Sequence, residues 1–278
     1  MITACLSKKP APALGRWFLA LGLGFVLYAC ATVPITERTS LHLLPDSDLV
    51  AMSLQQYDKV LKESKLSQDS QKVQMVRRVG SRIAGAAEDF LKEKGLGAEV
   101  KGYKWEFNLI EDDKVANAWC MPGGKVAVYT GILPATRDET GLAVVMGHEV
   151  AHALAKHGNE RMSQGLLVQL GGIGLAAALG TQPSLTQQIF MEAYGATATL
   201  GVLLPYSRLH EKEADHIGLI LMAKAGYNPQ EAVPFWERMQ KTGGARPPEF
   251  LSTHPAPESR IAEIKALLPE AMRYYKGN

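Results

Sequence analysis

Cysteine is scarce: the 278-residue chain has three, Cys5, Cys30 and Cys120. If Cys5 leaves with an N-terminal leader and Cys30 is lipidated, only Cys120 remains, so no intramolecular disulfide framework is available even in an oxidising compartment. Cys120 then reads as a packed strand residue. Excess charge is missing too. Lys and Arg number 30 against 28 Asp and Glu, a net charge of +2, which leaves no electrostatic footprint for nucleic acid. Basic groups such as Arg77-Arg78 alternate with apolar residues at helical spacing and read as a solvated face. No repeat period is visible. The remaining composition, 46% hydrophobic and 21% charged, is that of a globular chain long enough for one large domain or two small ones.

The first residues are of another kind. Lys8, Lys9 and Arg16 precede the apolar run WFLALGLGFVLYAC, which is too short to span a bilayer comfortably and ends in small residues, as a secretory signal does. LYAC, Leu27 to Cys30, resembles a bacterial lipobox whose cysteine is lipidated. An ordinary signal peptide or an uncleaved anchor are the alternatives. On this reading residues 1–29 are a lipoprotein signal peptide, 30–45 a lipidated N-terminus and tether, and 46–278 the folded domain. Ala31 stands where Gram-negative lipoproteins carry Asp for retention. That resemblance implies a cell-envelope protein on the periplasmic face of the outer membrane, held by a lipid anchor at Cys30.

Within the domain, Asp46 is placed to cap a surface helix, and Val73, Val76, Ile83, Ala87 and Phe90 form the apolar stripe of a second, ended by Gly95 and Gly97. Between 100 and 130 the pattern shortens. YKWEFNLI, KVANAWCM and KVAVYTGI are β-branched and aromatic runs separated by EDD and PGG, which predicts a small antiparallel β meander. Thr136, Asp138 and Glu139 then open a helix. Helices are expected over 165–204, Ser207 to Ala225, Pro229 to Lys241 and after Pro257. The fold class is α+β, mainly α.

The helix after Asp138 carries AVVMGHEVAHALAKHGNER, residues 143–161. His148 and His152 are four apart and point to nearly one side, the spacing that grips a single ion. Glu149 lies about 100° round from His148, too far to be an equal ligand yet close enough to act on a water. H-E-x-x-H on a helix reads as zinc with a built-in general base. Catalytic zinc usually takes three protein ligands, so another segment must supply one. A metzincin would need Gly at 155 and His at 158, where this chain has Ala155 and Gly158; His157 is one residue off that register. In YSRLHEKEADHIGL, residues 206–219, Glu211 and Asp215 share a helical face. Glu211 would complete a His₂Glu site for one Zn²⁺ per chain, and Asp215 would hold the far nitrogen of a ligating histidine. Glu213 points elsewhere and reads as exposed, His210 and His216 as surface or outer groups. His42 has no assignable role.

HEVAHALAKHGNER, YSRLHEKEADHIG and STHPAPESRI, in this order, resemble the zinc metallopeptidase family of the type I CAAX prenyl endopeptidases and HtpX-like bacterial proteases; VANAWCMPGGKVAVYTGIL resembles its strand and turn before the motif helix. The likeness runs from about residue 40 to 270. It implies a gluzincin-type, mainly helical domain with a small sheet, with His148, His152 and Glu211 as zinc ligands, Glu149 as general base and Asp215 beside the ligand helix. The place of Arg208 in the second motif suggests that it orients a site carboxylate. The third motif lies beside the metal in the family, where His254 would either stabilise a developing oxyanion or sit over the open coordination position.

The expected chemistry is peptide-bond hydrolysis, with Glu149 taking the proton of the attacking water and returning it to the leaving amine. Backbone near Asn117 and Ala118 would pair with an extended substrate by β-addition. The family implies an envelope endopeptidase acting on damaged, unfolded or misassembled proteins in quality control. A lipoprotein chaperone or assembly factor with little proteolysis is the rival, and a zinc carrier or structural site a third reading; neither needs a base at Glu149. GLLVQLGGIGLAAALG and IFMEAYGATATLGVLL, joined by TQPS, read as an αα-hairpin near the metal, either a lid or core packing.

Overall fold

The computed structural model describes residues 30–170, 207–241, 249–255 and 258–277. The expected leader, 1–29, and nearly all of the expected hairpin over 165–204 lie outside the described residues. Among those described, no helix is long and apolar enough to cross a membrane.

The segment 30–45, expected as a tether, folds against the domain. Strands β1 (Cys30–Thr32) and β2 (Thr39–Leu41) pair antiparallel, Cys30 opposite Leu41. The turn between them buries Val33 completely and puts Ile35 and Glu37 at φ 81° and 57°. A positive φ is costly for a β-branched residue, about 1–3 kcal/mol, and persists only where surrounding contacts enforce it.

Helix α1 (Asp46–Glu63) starts at Asp46, but the capping position is Pro45 and no side chain caps it; Asp46 instead adds negative charge to the first turn, where the helix dipole favours it. Helix α2 (Ser70–Glu93) is capped by Asp69, whose carboxylate accepts from the amides of Gln71 and Lys72. Val76, Val79, Ile83, Ala87 and Phe90 are its buried stripe, and Gly95, at φ 75°, ends it in the left-handed conformation.

The small sheet is present, but it is not a simple meander. β4 (Ala118–Met121) and β5 (Lys125–Tyr129) form an antiparallel hairpin, while β3 (Glu106–Ile110) pairs with β5 in parallel, giving the order β3-β5-β4. The reason is the connections. Gly123 and Gly124, at φ 80° and 82°, turn β5 back tightly beside β4, whereas residues 111–117 carry the chain past the place that β5 later fills. Every residue of β4 and β5 is buried, Cys120 among them.

After the short α3 (Leu133–Thr136), Asp138 caps α4 (Glu139–Leu154) by accepting from the amides of Thr140 and Gly141. From Gly141 to Leu154 every residue of α4 is buried, so this is the central helix, covered on all sides. Lys156, at φ 56°, breaks it from α5 (His157–Leu170). Helix α6 (Arg208–Lys224) is capped by Ser207. α7 (Ala232–Lys241), α8 (Glu249–Thr253) and α9 (Glu258–Ala271) complete the described chain.

The most extensive helix pair is α4 with α6, and glycine permits it. A Cβ on Gly147 would lie 2.9 Å from the carbonyl oxygen of Gly218, and one on Gly218 would lie 3.0 Å from the Gly147 carbonyl carbon and the His148 nitrogen. These obstacles are backbone, so a methyl group there must push the two helices apart. Gly218→Ala is therefore expected to cost about 1–3 kcal/mol, the range of an overpacked core, and to reduce bound zinc by separating His148 from Glu211. Denaturant unfolding and metal analysis check both effects; wild-type values would show that the helices can slide without loss.

Candidate metal centre and active site

The structure brings the residues of the first two motifs together. His148, Glu149 and His152 are each 2% exposed on α4, and Glu211 and Asp215 are buried on the facing side of α6. The Nε2 atoms of His148 and His152 are 3.0 Å apart, and Glu211 places a carboxylate oxygen 3.4 Å from each. Asp215 Oδ1 lies 3.0 Å from His148 Nδ1, the nitrogen on the far side of the ring, as expected for a group that fixes the ring's orientation.

His254 joins the same cluster. It follows α8, stacks on Phe250 at 4.6 Å, and brings Nδ1 to 3.2 Å from His148 Nε2 and 3.0 Å from Glu211 Oε1. One donor atom from each of His148, His152, Glu211 and His254 lies within 4.8 Å of the others. Glu149 stands beside them: its Oε1 is 3.3 Å from His254 Nε2 but buried without a hydrogen bond.

Other expectations fare differently. Arg208 is exposed at the first position of α6; helical side chains lean toward the N-terminus, which takes it away from Glu211 and Asp215. Asn117 and Ala118 sit at the β4 edge but are buried, with the Ala118 amide donating to Asn117 Oδ1 and the neighbouring Ala116 carbonyl accepting from the Phe250 amide. Glu213, expected in solvent, is buried. It does face away from Glu211, but that side of α6 is covered by the β1–β2 turn and by His157, whose Nε2 is 2.9 Å from Glu213 Oε2. His210 is buried beside Glu160, and His216 pairs with Glu270 at 2.9 Å.

The largest omission is Arg260. Buried at 3% exposure on α9, it donates from Nη1 to Glu211 at 2.6 Å and from Nε and Nη2 to both oxygens of Asp215 at 2.8 Å, with its guanidinium 3.6 Å over the Trp236 ring. It lies within the third motif, STHPAPESRI, so its signal was present. His157 was also within reach, since it and Glu160 are three apart just after H-E-x-x-H.

Charge follows this arrangement. Burial opposes ionisation of Glu211, yet His254, Arg260 and His148 hold its carboxyl well below the usual range. Burial likewise works against a charged His148, but Glu211 and Asp215 raise it to about 9. Burial pushes His152 well below its ordinary value and Glu149 upward. A buried pocket of converging imidazole nitrogens and carboxylate oxygen fits zinc, which takes nitrogen and oxygen donors of this kind. The Glu149 oxygen left without a hydrogen bond has no use in a purely structural centre.

The mainly helical α+β fold and this site define a metallopeptidase-type domain of the gluzincin class. Residues 71–268 match the model of peptidase family M48, and the chain belongs to that family. It is 37% identical to the mitochondrial metalloendopeptidase OMA1 of Saccharomyces cerevisiae over 64% of this chain and 51% of that one. With the human mitochondrial metalloendopeptidase OMA1 it shares 29% identity over 93% of this chain and 51% of that protein. With the beta-barrel assembly-enhancing protease of Escherichia coli it shares 31% over 58% and 34%. The chain thus spans about half the length, or less, of these relatives. The mitochondrial relatives overturn the outer-membrane lipoprotein setting read from Cys30 and Ala31. A basic, apolar, small-residue leader is too unspecific a pattern to fix a compartment.

Two outcomes follow from the buried charges. Arg260→Met leaves Glu211 and Asp215 without their shared cation, and removal of one partner from a buried pair costs about 3–5 kcal/mol. Denaturant unfolding should show that loss, and metal analysis a lowered zinc content; a variant of wild-type stability with full zinc would show that Arg260 is not the holder. Glu160 is held at about 2, below its ordinary 4.5: burial opposes this, but His210 and Arg38 overcome it. Its contribution is therefore complete above about pH 4.5 and lost as pH falls through about 2. The stability gap between wild type and Glu160→Gln, followed by denaturant unfolding of the metal-free protein, should narrow across that window; a gap constant with pH would exclude the ion pair as its source.

Proposed function

We propose that the protein is a zinc-dependent endopeptidase that cleaves extended segments of unfolded or misassembled proteins. The observation that carries this reading is the buried, unbonded Oε1 of Glu149 beside the donor cluster, because a carrier or structural zinc site requires no base.

His148, His152 and Glu211 would hold the ion, and Asp215 and Arg260 keep His148 and Glu211 in place. When bound, zinc supplies a Lewis acid that activates the attacking water and the scissile carbonyl. Glu149 takes the water's proton at Oε1 and later delivers it to the leaving amine. Burial, which raises its proton affinity, suits both halves of that cycle.

His254 and the β4 edge belong to one gate. The Phe250 amide donates to the Ala116 carbonyl beside Asn117 and Ala118, and the His254 amide donates to the Phe250 carbonyl. An extended peptide adding along β4 would displace Phe250 and draw His254 from the donor cluster, opening the reaction position as substrate arrives. Recognition through backbone hydrogen bonds favours unfolded chains over particular sequences.

The test is cleavage of an unfolded protein such as casein by the zinc-loaded chain, with chelator and zinc-readdition controls. Chelation should stop cleavage and zinc restore it. Glu149→Gln should keep its zinc and lose about 10²–10⁴-fold in rate, the range of a general base, while His254→Ala should keep zinc and cleave faster than wild type. Cleavage by Glu149→Gln at the wild-type rate would defeat the mechanism, and slower cleavage by a zinc-loaded His254→Ala would defeat the gate.

A further inference from the structure

His152 is oriented differently from its partner ligand. Behind His148 stands a carboxylate, but behind His152 stands another histidine: His157 Nδ1 is 2.8 Å from His152 Nδ1, and His157 Nε2 is 2.9 Å from Glu213 Oε2. For His152 to offer an unprotonated Nε2 to a metal, its proton must be on Nδ1 and donate to His157 Nδ1. His157 then carries its own proton on Nε2 and donates it to Glu213. One tautomer of each ring satisfies the chain.

The far end of this relay is fixed from the N-terminal segment. The Thr36 hydroxyl donates to Glu213 Oε1, and Arg38 Nε donates to Glu213 Oε2 at 2.9 Å. The other two nitrogens of Arg38 donate to Glu160 at 3.1 and 2.7 Å. Glu160 in turn meets His210 Nε2 at 3.1 Å, and the His210 ring stacks on His157 at 4.4 Å. His157 is thus held by its edge through Glu213 and by its face through His210, and Arg38 joins the two supports.

Strands β1 and β2 pair with each other and with no other described strand, so the hairpin is fastened through side chains and local contacts. Its turn holds Ile35 and Glu37 in the left-handed region, a conformation kept only while the seat enforces it.

We propose that the β1–β2 turn, residues 33–38, is a positioning element of the metal site: Arg38 acts through Glu213 and His157 on His152, so seating the turn and binding zinc are coupled. This rests on the zinc-metallopeptidase reading. Coupling of this kind is reciprocal: unseating the turn weakens metal affinity, and metal binding tightens the turn. Whatever pulls on the chain N-terminal to Val33 would act on the metal.

The experiment measures zinc affinity by chelator competition in Arg38→Met and Arg38→Lys, together with hydrogen exchange of residues 33–38 with and without zinc. Affinity should fall at least about tenfold in Arg38→Met, the lower end for losing an outer support of a ligand, with partial recovery in Arg38→Lys. Zinc should slow exchange at Val33 and Glu37, whose amides are hydrogen-bonded in the turn, in wild type and not in Arg38→Met. A merely structural arginine would lower thermal stability without removing that zinc dependence. Should Arg38→Met not fold, Thr36→Val removes one bond to Glu213 and is read in the same way. Wild-type affinity with an unchanged zinc effect on exchange would overturn the coupling. Neither readout requires peptide cleavage, so a chain that shows the coupling and cleaves nothing would instead refute the endopeptidase reading.

Discussion

Burying charge inside the central helix is the constraint on which the rest of the structure depends. Helix α4 is covered on every side from Gly141 onward and still carries His148, Glu149 and His152. A polar group removed from water costs several kcal/mol unless it finds a partner, so several other elements supply partners. α6 brings Glu211 and Asp215, α9 brings Arg260, α5 brings His157, and the N-terminal hairpin brings Arg38. The close approach at Gly147 and Gly218 is what lets α4 and α6 meet.

The arrangement has two layers with different duties. Arg260 neutralises the carboxylates that face the donors, while its stack on Trp236 fixes the guanidinium plane. The second layer, Arg38 with Glu160 and Glu213, lies behind the histidines and gives them direction. Glu149 stands apart from both layers: its Oε1 is buried without a hydrogen bond beside the donor cluster, a departure from local consistency of the kind expected where chemistry is done.

The comparisons bear on parts of the chain unequally. The family match begins at residue 71, past the β1–β2 hairpin, so the turn that carries Arg38 lies outside it. The human relative aligns over 93% of the chain and 51% of its own length.

Local periodicity made the core of the site legible. A 3.6-residue turn places His148 and His152 together and sets Glu149 aside, and it pairs Glu211 with Asp215; Asp69, Asp138 and Gly95 similarly act within a few residues of themselves. Those facts belong to the sequence because they depend on neighbours along the chain. Tertiary structure alone decided which charges compensate which. Arg38 and Glu213 are 175 positions apart and Arg260 and Glu211 are 49 apart, so no helical spacing joins them. For the same reason the sequence predicts an exposed Glu213 where the fold buries it: which face of a helix is covered depends on what packs there. The parallel seat of β3, invisible in three β-rich runs, was settled by the path of residues 111–117 across the end of β5, with the glycine turn at the other end returning β5 beside β4.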